Sequence, residues 1–308
     1  MKIAKRRTLR LYFAIMILLV CGIAIMQAGT DDAAQDWPVY GHDDGGMRYS
    51  PLKQINRTNV ERLQRAWTYD VPTTPNSWLQ AFESTPLMVD DALYFATQTG
   101  LAVALNAETG KQLWTFNPYG ANSGKVRPLP NRGMTYWQGK SPVTCGGRHD
   151  AADSRIFYTT PDARLFALDP ATGKPCEGFG NGGSIDLREG IVKYPKRAYD
   201  VTSPPVIYQD LIILGSEVQE FPSRGNSGAV RAFNVHTGKL VWTFHTVPRP
   251  GEFGYESWGG ESARNRSGVN VWGFMSLDAA RGILYMPIGR RRRTAPARRA
   301  GRRAGPSG

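Results

Sequence analysis

One phrase occurs three times in this sequence, and that repetition limits the fold more than any other feature. Ala104-Leu-Asn-Ala-Glu-Thr-Gly-Lys-Gln-Leu-Trp-Thr-Phe116 returns as Ala167-Leu-Asp-Pro-Ala-Thr-Gly-Lys-Pro-Cys-Glu-Gly-Phe179 and as Ala232-Phe-Asn-Val-His-Thr-Gly-Lys-Leu-Val-Trp-Thr-Phe244. The Thr-Gly-Lys triplets begin at 109, 172 and 237, a spacing of 63 to 65 residues. Each copy reads as a short apolar strand, a polar turn whose glycine takes a positive φ cheaply, and a second strand ending on an aromatic residue. A further β-rich run precedes each copy, at 93–96, 156–159 and 211–214, and 283–288 begins a fourth unit. Such a unit cannot bury both faces alone, and radial stacking of blades solves that problem. The sequence therefore predicts an all-β chain, a β-propeller of four-stranded blades, with Trp114 and Trp242 packed between blades and one short helix over 58–65. The Thr-Gly-Lys turns are expected to be structural hairpins, and the histidines at 42, 149, 236 and 245 have neither triad nor metal spacing.

The formal net charge of +12 would suggest a nucleic-acid partner, but its placement removes that reading. Five bases lie in residues 1–10 and eight arginines in 290–308, leaving 25 bases against all 26 acids between them. The first cluster precedes sixteen uncharged residues at 11–26, the pattern of an export signal at 1–30 that could also remain as a membrane anchor. Cys21 lies within that apolar run without a small residue before it, so a plain membrane-segment cysteine is favoured over a lipidated one. Beyond it only Cys145 and Cys176 remain. An oxidising compartment permits them to pair; two separate buried thiols are the alternative, and pairing is favoured because each lies beside a strand of the second repeat.

Five segments in one order carry a resemblance: Trp37-Pro-Val-Tyr-Gly with Arg48-Tyr-Ser-Pro-Leu-Lys-Gln-Ile-Asn56; Asn131-Arg-Gly-Met-Thr-Tyr-Trp137; Thr202-Ser-Pro-Pro205; the run at 242–254; and Asn270-Val-Trp-Gly273. In these the chain resembles the quinoprotein dehydrogenases, eight-bladed propellers that use pyrroloquinoline quinone (PQQ) and a calcium ion, and looks nearest to the glucose-dehydrogenase branch. Three to four blades would fit within 31–289. The resemblance implies that Glu83 contacts PQQ, that Arg132 pairs with a PQQ carboxylate through its planar donors, that Thr202 lines the quinone, and that Trp272 is the platform on which it stacks. It assigns Glu220 of Gly215-Ser-Glu-Val-Gln-Glu220 as the calcium ligand, with Glu217 and Gln219 as substitutes if the register differs.

Departures accompany the matches. Val126-Arg127 stands where the methanol-oxidising branch has adjacent cysteines, leaving sugar or polyol substrates open. The family's aspartate base lies beyond residue 290, so no catalytic residue is assigned within this chain, and Arg290 falls at the second calcium-ligand position. The stretch 290–308 is read as an out-of-frame translation, the alternative being a disordered basic arm. The implied function is that of an exported oxidoreductase, periplasmic or anchored in the inner membrane facing the periplasm. It would oxidise an alcohol or aldose hydroxyl and pass electrons to a quinone or cytochrome, the present chain being an inactive fragment. A non-enzymatic propeller scaffold, of the kind found in outer-membrane assembly lipoproteins, is the rival reading.

Overall fold

A computed structural model describes residues 36–71, 82–139, 145, 153–195, 198–259 and 261–289. The expected signal or anchor at 1–30 and the tail at 290–308 lie outside the described residues. Among the described residues no helix is long and apolar enough to cross a membrane.

The repeats fold as antiparallel meanders. The first sheet comprises β1 (Leu87–Val89), β2 (Ala92–Ala96), β3 (Ala102–Asn106) and β4 (Gln112–Phe116), hydrogen-bonded in that order. The second is β5 (Thr135–Gln138), β6 (Ser154–Thr159), β7 (Arg164–Leu168) and β8 (Ser184–Asp186). The third joins β10 (Val206–Tyr208), β11 (Leu211–Leu214), β13 (Val230–Asn234) and β14 (Leu240–Phe244). A fourth is begun by β15 (Ser276–Asp278) and β16 (Ile283–Tyr285), and a small pair, β9 (Tyr199–Asp200) with β12 (Glu217–Val218), stands apart. Buried clusters fill the spaces between successive sheets: Leu87, Ala104 and Trp114 with Ile156 and Tyr158 between the first two, then Phe157, Leu165 and Phe179 with Ile212 and Phe233. This is the blade stacking that the repeats demand, and the architecture is that of a β-propeller.

The repeated turn has a packing role. Gly110, Gly173 and Gly238 all sit at φ +69°, where an L side chain is strained. A Cβ on Gly110 would lie 2.5 Å from the ring of Trp67, and one on Gly173 would lie 2.5 Å from the ring of Trp114. Trp67 Nε1 donates to the Ala107 carbonyl (3.0 Å) and Trp114 Nε1 to that of Pro170 (2.8 Å), so each indole is seated on the turn of a neighbouring unit. At Gly238 the seat is taken by Ile185. Trp242 is half-buried and packs with Met275, Leu284 and Met286 against the cluster between the third sheet and β15–β16.

Two local expectations are corrected. The second repeat was expected to run straight from its turn into a strand ending at Phe179, but 175–179 bridges β7 only at Leu168–Pro175 and then turns away. Pro175 has no N–H for a ladder, and Gly180, Gly182 and Gly183 all adopt positive φ, so the fourth strand forms later, at β8. The detour buries Phe179 completely and brings Cys176 to Cys145, to which it is disulfide-bonded with a Cα–Cα distance of 4.8 Å. The helix expected over 58–65 shrinks to one 3-10 turn, Val60–Arg62, which buries no residue and so lacks the packing that holds short helices.

The segment following Asp36 reaches the leading strands of the first, second and fourth sheets. Trp37 exchanges backbone hydrogen bonds with Met88 of β1, Tyr136 of β5 donates to the Pro38 carbonyl (2.9 Å), and Leu277 of β15 donates to that of Asp44 (2.8 Å). Tyr40 stacks on Phe274 with ring centroids 3.6 Å apart.

Candidate active site

The candidate residues come together because they occupy one register. Glu83 lies four residues ahead of β1, Arg132 three ahead of β5, Thr202 four ahead of β10 and Trp272 four ahead of β15. These lead-in segments pair in series: Thr85 N–H donates to the Arg132 carbonyl (3.1 Å), and Arg132 N–H donates to the Thr202 carbonyl (2.9 Å). Ser203 Oγ then donates to the Trp272 carbonyl (2.6 Å). Equivalent positions of four consecutive sheets thus line up side by side.

Arg132 is the hub. Its Nε lies 3.2 Å from Glu83 Oε2, its Nη1 donates to Thr202 Oγ1 (2.5 Å), and its guanidinium carbon stands 5.4 Å from the Trp272 ring centroid. Asn131 fixes the loop that presents it, donating to the Thr159 carbonyl (2.9 Å) and accepting from Gly133 N–H (3.0 Å). The arginine is mostly covered, whereas Trp272 is 45% exposed, so a large aromatic face is left open beside a held cation.

That face looks into a cleft of about 600 Å³. Arg132, Trp272 and Glu220 all line it, joined by Arg127, Glu217 and Asn270. Glu220 is therefore in the same cleft as the arginine and the tryptophan, as are its substitutes Glu217 and Gln219; Glu83 and Thr202 reach it through Arg132. Asp200 pairs with Arg127 at 3.1 Å and stands directly opposite Glu217 in the β9–β12 ladder. Burial raises the Glu217 carboxyl above its ordinary value, and the neighbouring Asp200 and Glu220 add to the rise against Arg132 and Arg127. Asp200 is likewise raised by burial, opposed by Arg127.

Sequence reasoning assigned no role to Asn270 or Asp200. Asn270 is 2% exposed, donates through Nδ2 to the Ser216 carbonyl (2.9 Å), and leaves Oδ1 buried without a hydrogen-bond partner. Its place two residues before Trp272 was the only available signal. Among the described residues no cluster of three or more His, Cys, Asp or Glu has metal-binding geometry. The oxygens of Glu217, Glu220 and Asn270 are the right chemistry for a hard cation, and a flat, carboxylate-bearing quinone suits the exposed indole beside Arg132.

Comparison with known proteins agrees with the propeller fold. Residues 37–303 match the family model described as PQQ glucose/ethanol/alcohol dehydrogenase, β-propeller domain. The chain is 33% identical over 273 residues to the glycerol dehydrogenase large subunit of Gluconobacter oxydans, covering 85% of this chain and 35% of that protein. It is 33% identical over 262 residues to quinoprotein glucose dehydrogenase of Escherichia coli, covering 83% and 32% respectively. The crystal structure of quinohemoprotein alcohol dehydrogenase from Comamonas testosteroni superposes with a TM-score of 0.60 at 27% identity, over 80% of this chain and 34% of that one. The chain spans about a third of the length of these relatives. With the repeats, the stacked sheets and the match over 37–303 in agreement, the chain belongs to the PQQ-dependent glucose, ethanol and alcohol dehydrogenase family of β-propellers.

Proposed function

We propose that this chain forms the PQQ-binding half-site of an exported oxidoreductase acting on an alcohol or sugar hydroxyl. The observation that carries the reading is the convergence of Glu83, Arg132, Thr202 and Trp272 from four consecutive sheets beside one cleft. The indole of Trp272 would carry the flat quinone, and Arg132, kept in position by Glu83 and Thr202, would pair with a cofactor carboxylate. Glu220 would hold a calcium ion, with Glu217 and the unpartnered Asn270 oxygen beside it. When bound, PQQ supplies the two-electron oxidant. The relatives named above support a glucose-like or polyol substrate, and a quinone or cytochrome acceptor follows from the family resemblance.

Export is supported by the basic-then-apolar start of the sequence and by the Cys145–Cys176 disulfide, a bond suited to an oxidising compartment such as the periplasm. For residues 36–289 the proposal is cofactor capture, since the resemblance assigns the proton-abstracting aspartate to no residue of this stretch.

Titrating the purified chain with PQQ in the presence of calcium, and following tryptophan fluorescence, tests this. Saturable quenching is expected, Trp272→Phe should lose much of it, and Arg132→Ala should bind at least about tenfold more weakly, the loss of a charge-assisted pair being worth about 1.5–3 kcal/mol. Equal binding by all three proteins would remove the reading.

A further inference from the structure

A second cleft, of about 400 Å³, shares no lining residue with the first and lies between the stretch 190–193, the turn at 225–227 and the long connection that follows β14. Its charged lining is mostly basic: Lys193, Arg249, Arg264 and Arg266, against the single carboxylate of Glu261. Glu261 is occupied by Arg264 at 3.0 Å. Glu252, on the same connection, is held by His245 at 2.7 Å and by the backbone N–H of Arg249 at 2.8 Å. Lys193, Arg249 and Arg266 form no ion pair among the described residues, and the Arg249 side chain acts on Glu252 only through its charge, helping to hold that carboxyl below its ordinary value.

Arg266 is the informative member. Its Nε is buried without any hydrogen-bond acceptor, an expensive state for a charged donor. It also stands opposite Arg224 in an isolated antiparallel bridge, where two like charges face each other and repel. Arg224 too has no carboxylate partner among the described residues. A buried guanidinium donor without an acceptor, a like charge across the bridge from it, and two further cations, Lys193 and Arg249, lining the same cleft share a single remedy, a bound anion with several acceptor oxygens. Guanidinium groups grip such oxyanions through paired donors.

We propose that this cleft binds a small oxyanion carrying at least two negative charges, either a phosphate or a polycarboxylate, with Arg266 and Arg249 as its principal contacts. The site is separate from the cofactor reading and does not depend on it.

The test uses the whole chain at fixed ionic strength. Calorimetric titration with inorganic phosphate and, separately, citrate should show saturable binding with Kd below about 1 mM for at least one, and the stronger of the two identifies the ligand class. Arg266→Gln should weaken it at least tenfold. Because the eight arginines of 290–308 can also attract anions, binding is located by arginine-specific labelling with phenylglyoxal and peptide mapping. The ligand should protect Arg266 and Arg249 but leave Arg281, which pairs with Asp278 at 3.4 Å, as reactive as before. Should Arg266→Gln fail to fold, Arg249→Gln, an exposed loop position, replaces it, and the labelling needs no variant. No saturable binding, affinity unchanged in the variants, or protection confined to other arginines overturns the proposal.

Discussion

Arg132 and Asp162 show how single residues acquire their roles from opposed forces. Arg132 is held by partners from the first and third sheets, which fixes the guanidinium before any ligand arrives. Asp162 is partly buried, which by itself would raise its carboxyl, yet hydrogen bonds from Thr160, Tyr119 and Arg164 outweigh burial and hold it below its ordinary value. A carboxylate depressed in the folded state contributes stability that is present above its unfolded value of 3.8 and is lost as pH falls through the folded value. Asp162→Asn should therefore lower the urea midpoint at pH 7 by the equivalent of about 1 kcal/mol, a modest figure because the side chain is 36% exposed. As the pH falls below 3.8 and on through the lower folded value the two curves should converge, since both side chains are then neutral. A gap that stays constant from pH 7 to pH 3 would show that packing, rather than charge, is lost. The acids in the proposed cofactor cleft shift the other way: Glu217 and Asp200 are both raised by burial, so their charged forms are disfavoured there.

At the scale of elements, stability comes from indoles seated on the turns of neighbouring blades and from one covalent clip. Trp114→Ala would remove a 9% exposed side chain and its hydrogen bond to Pro170, leaving the left-handed turn at Gly173 uncovered. The expected cost is about 3–5 kcal/mol, read as a lowered denaturation midpoint. A loss below about 1 kcal/mol would mean that the indole merely rests on the surface. The Cys145–Cys176 bond closes a 31-residue separation, and Cys145→Ser should cost about 2–4 kcal/mol and make the midpoint insensitive to reductant. The sequence made these elements readable wherever local chemistry agrees with the fold: each apolar run became a strand, and the positive-φ glycine of each repeat became a turn. It was unreadable where context overrides the pattern. Pro175 breaks the second repeat, so Phe179 packs as a core residue instead of ending a strand. The β9–β12 pair joins two-residue strands seventeen positions apart, too short to leave a periodic trace. Asn270 looked like a neighbour of Trp272, because its unpartnered oxygen exists only in three dimensions.

For the whole molecule, the consequence of the common register is that the proposed cofactor cleft belongs to no single blade. Arg132 of the second sheet touches Glu83 ahead of the first, Thr202 ahead of the third and Trp272 ahead of the fourth, so a ligand seated there would tie all four together. Binding to the folded state alone stabilises it by mass action, about 2.7 kcal/mol when ligand is a hundredfold above its Kd. For a described body of this size that corresponds to a rise in Tm of roughly 5–10 °C. The serial lead-in contacts and the shared clusters between sheets further imply that the blades melt as one unit. Scanning calorimetry of the chain should therefore give a single transition that moves upward as a whole with PQQ and calcium, and Arg132→Ala should melt singly but move much less. Two separated transitions of which only one responds would mean that the sheets are thermodynamically independent and that the cleft draws on fewer blades than its geometry indicates.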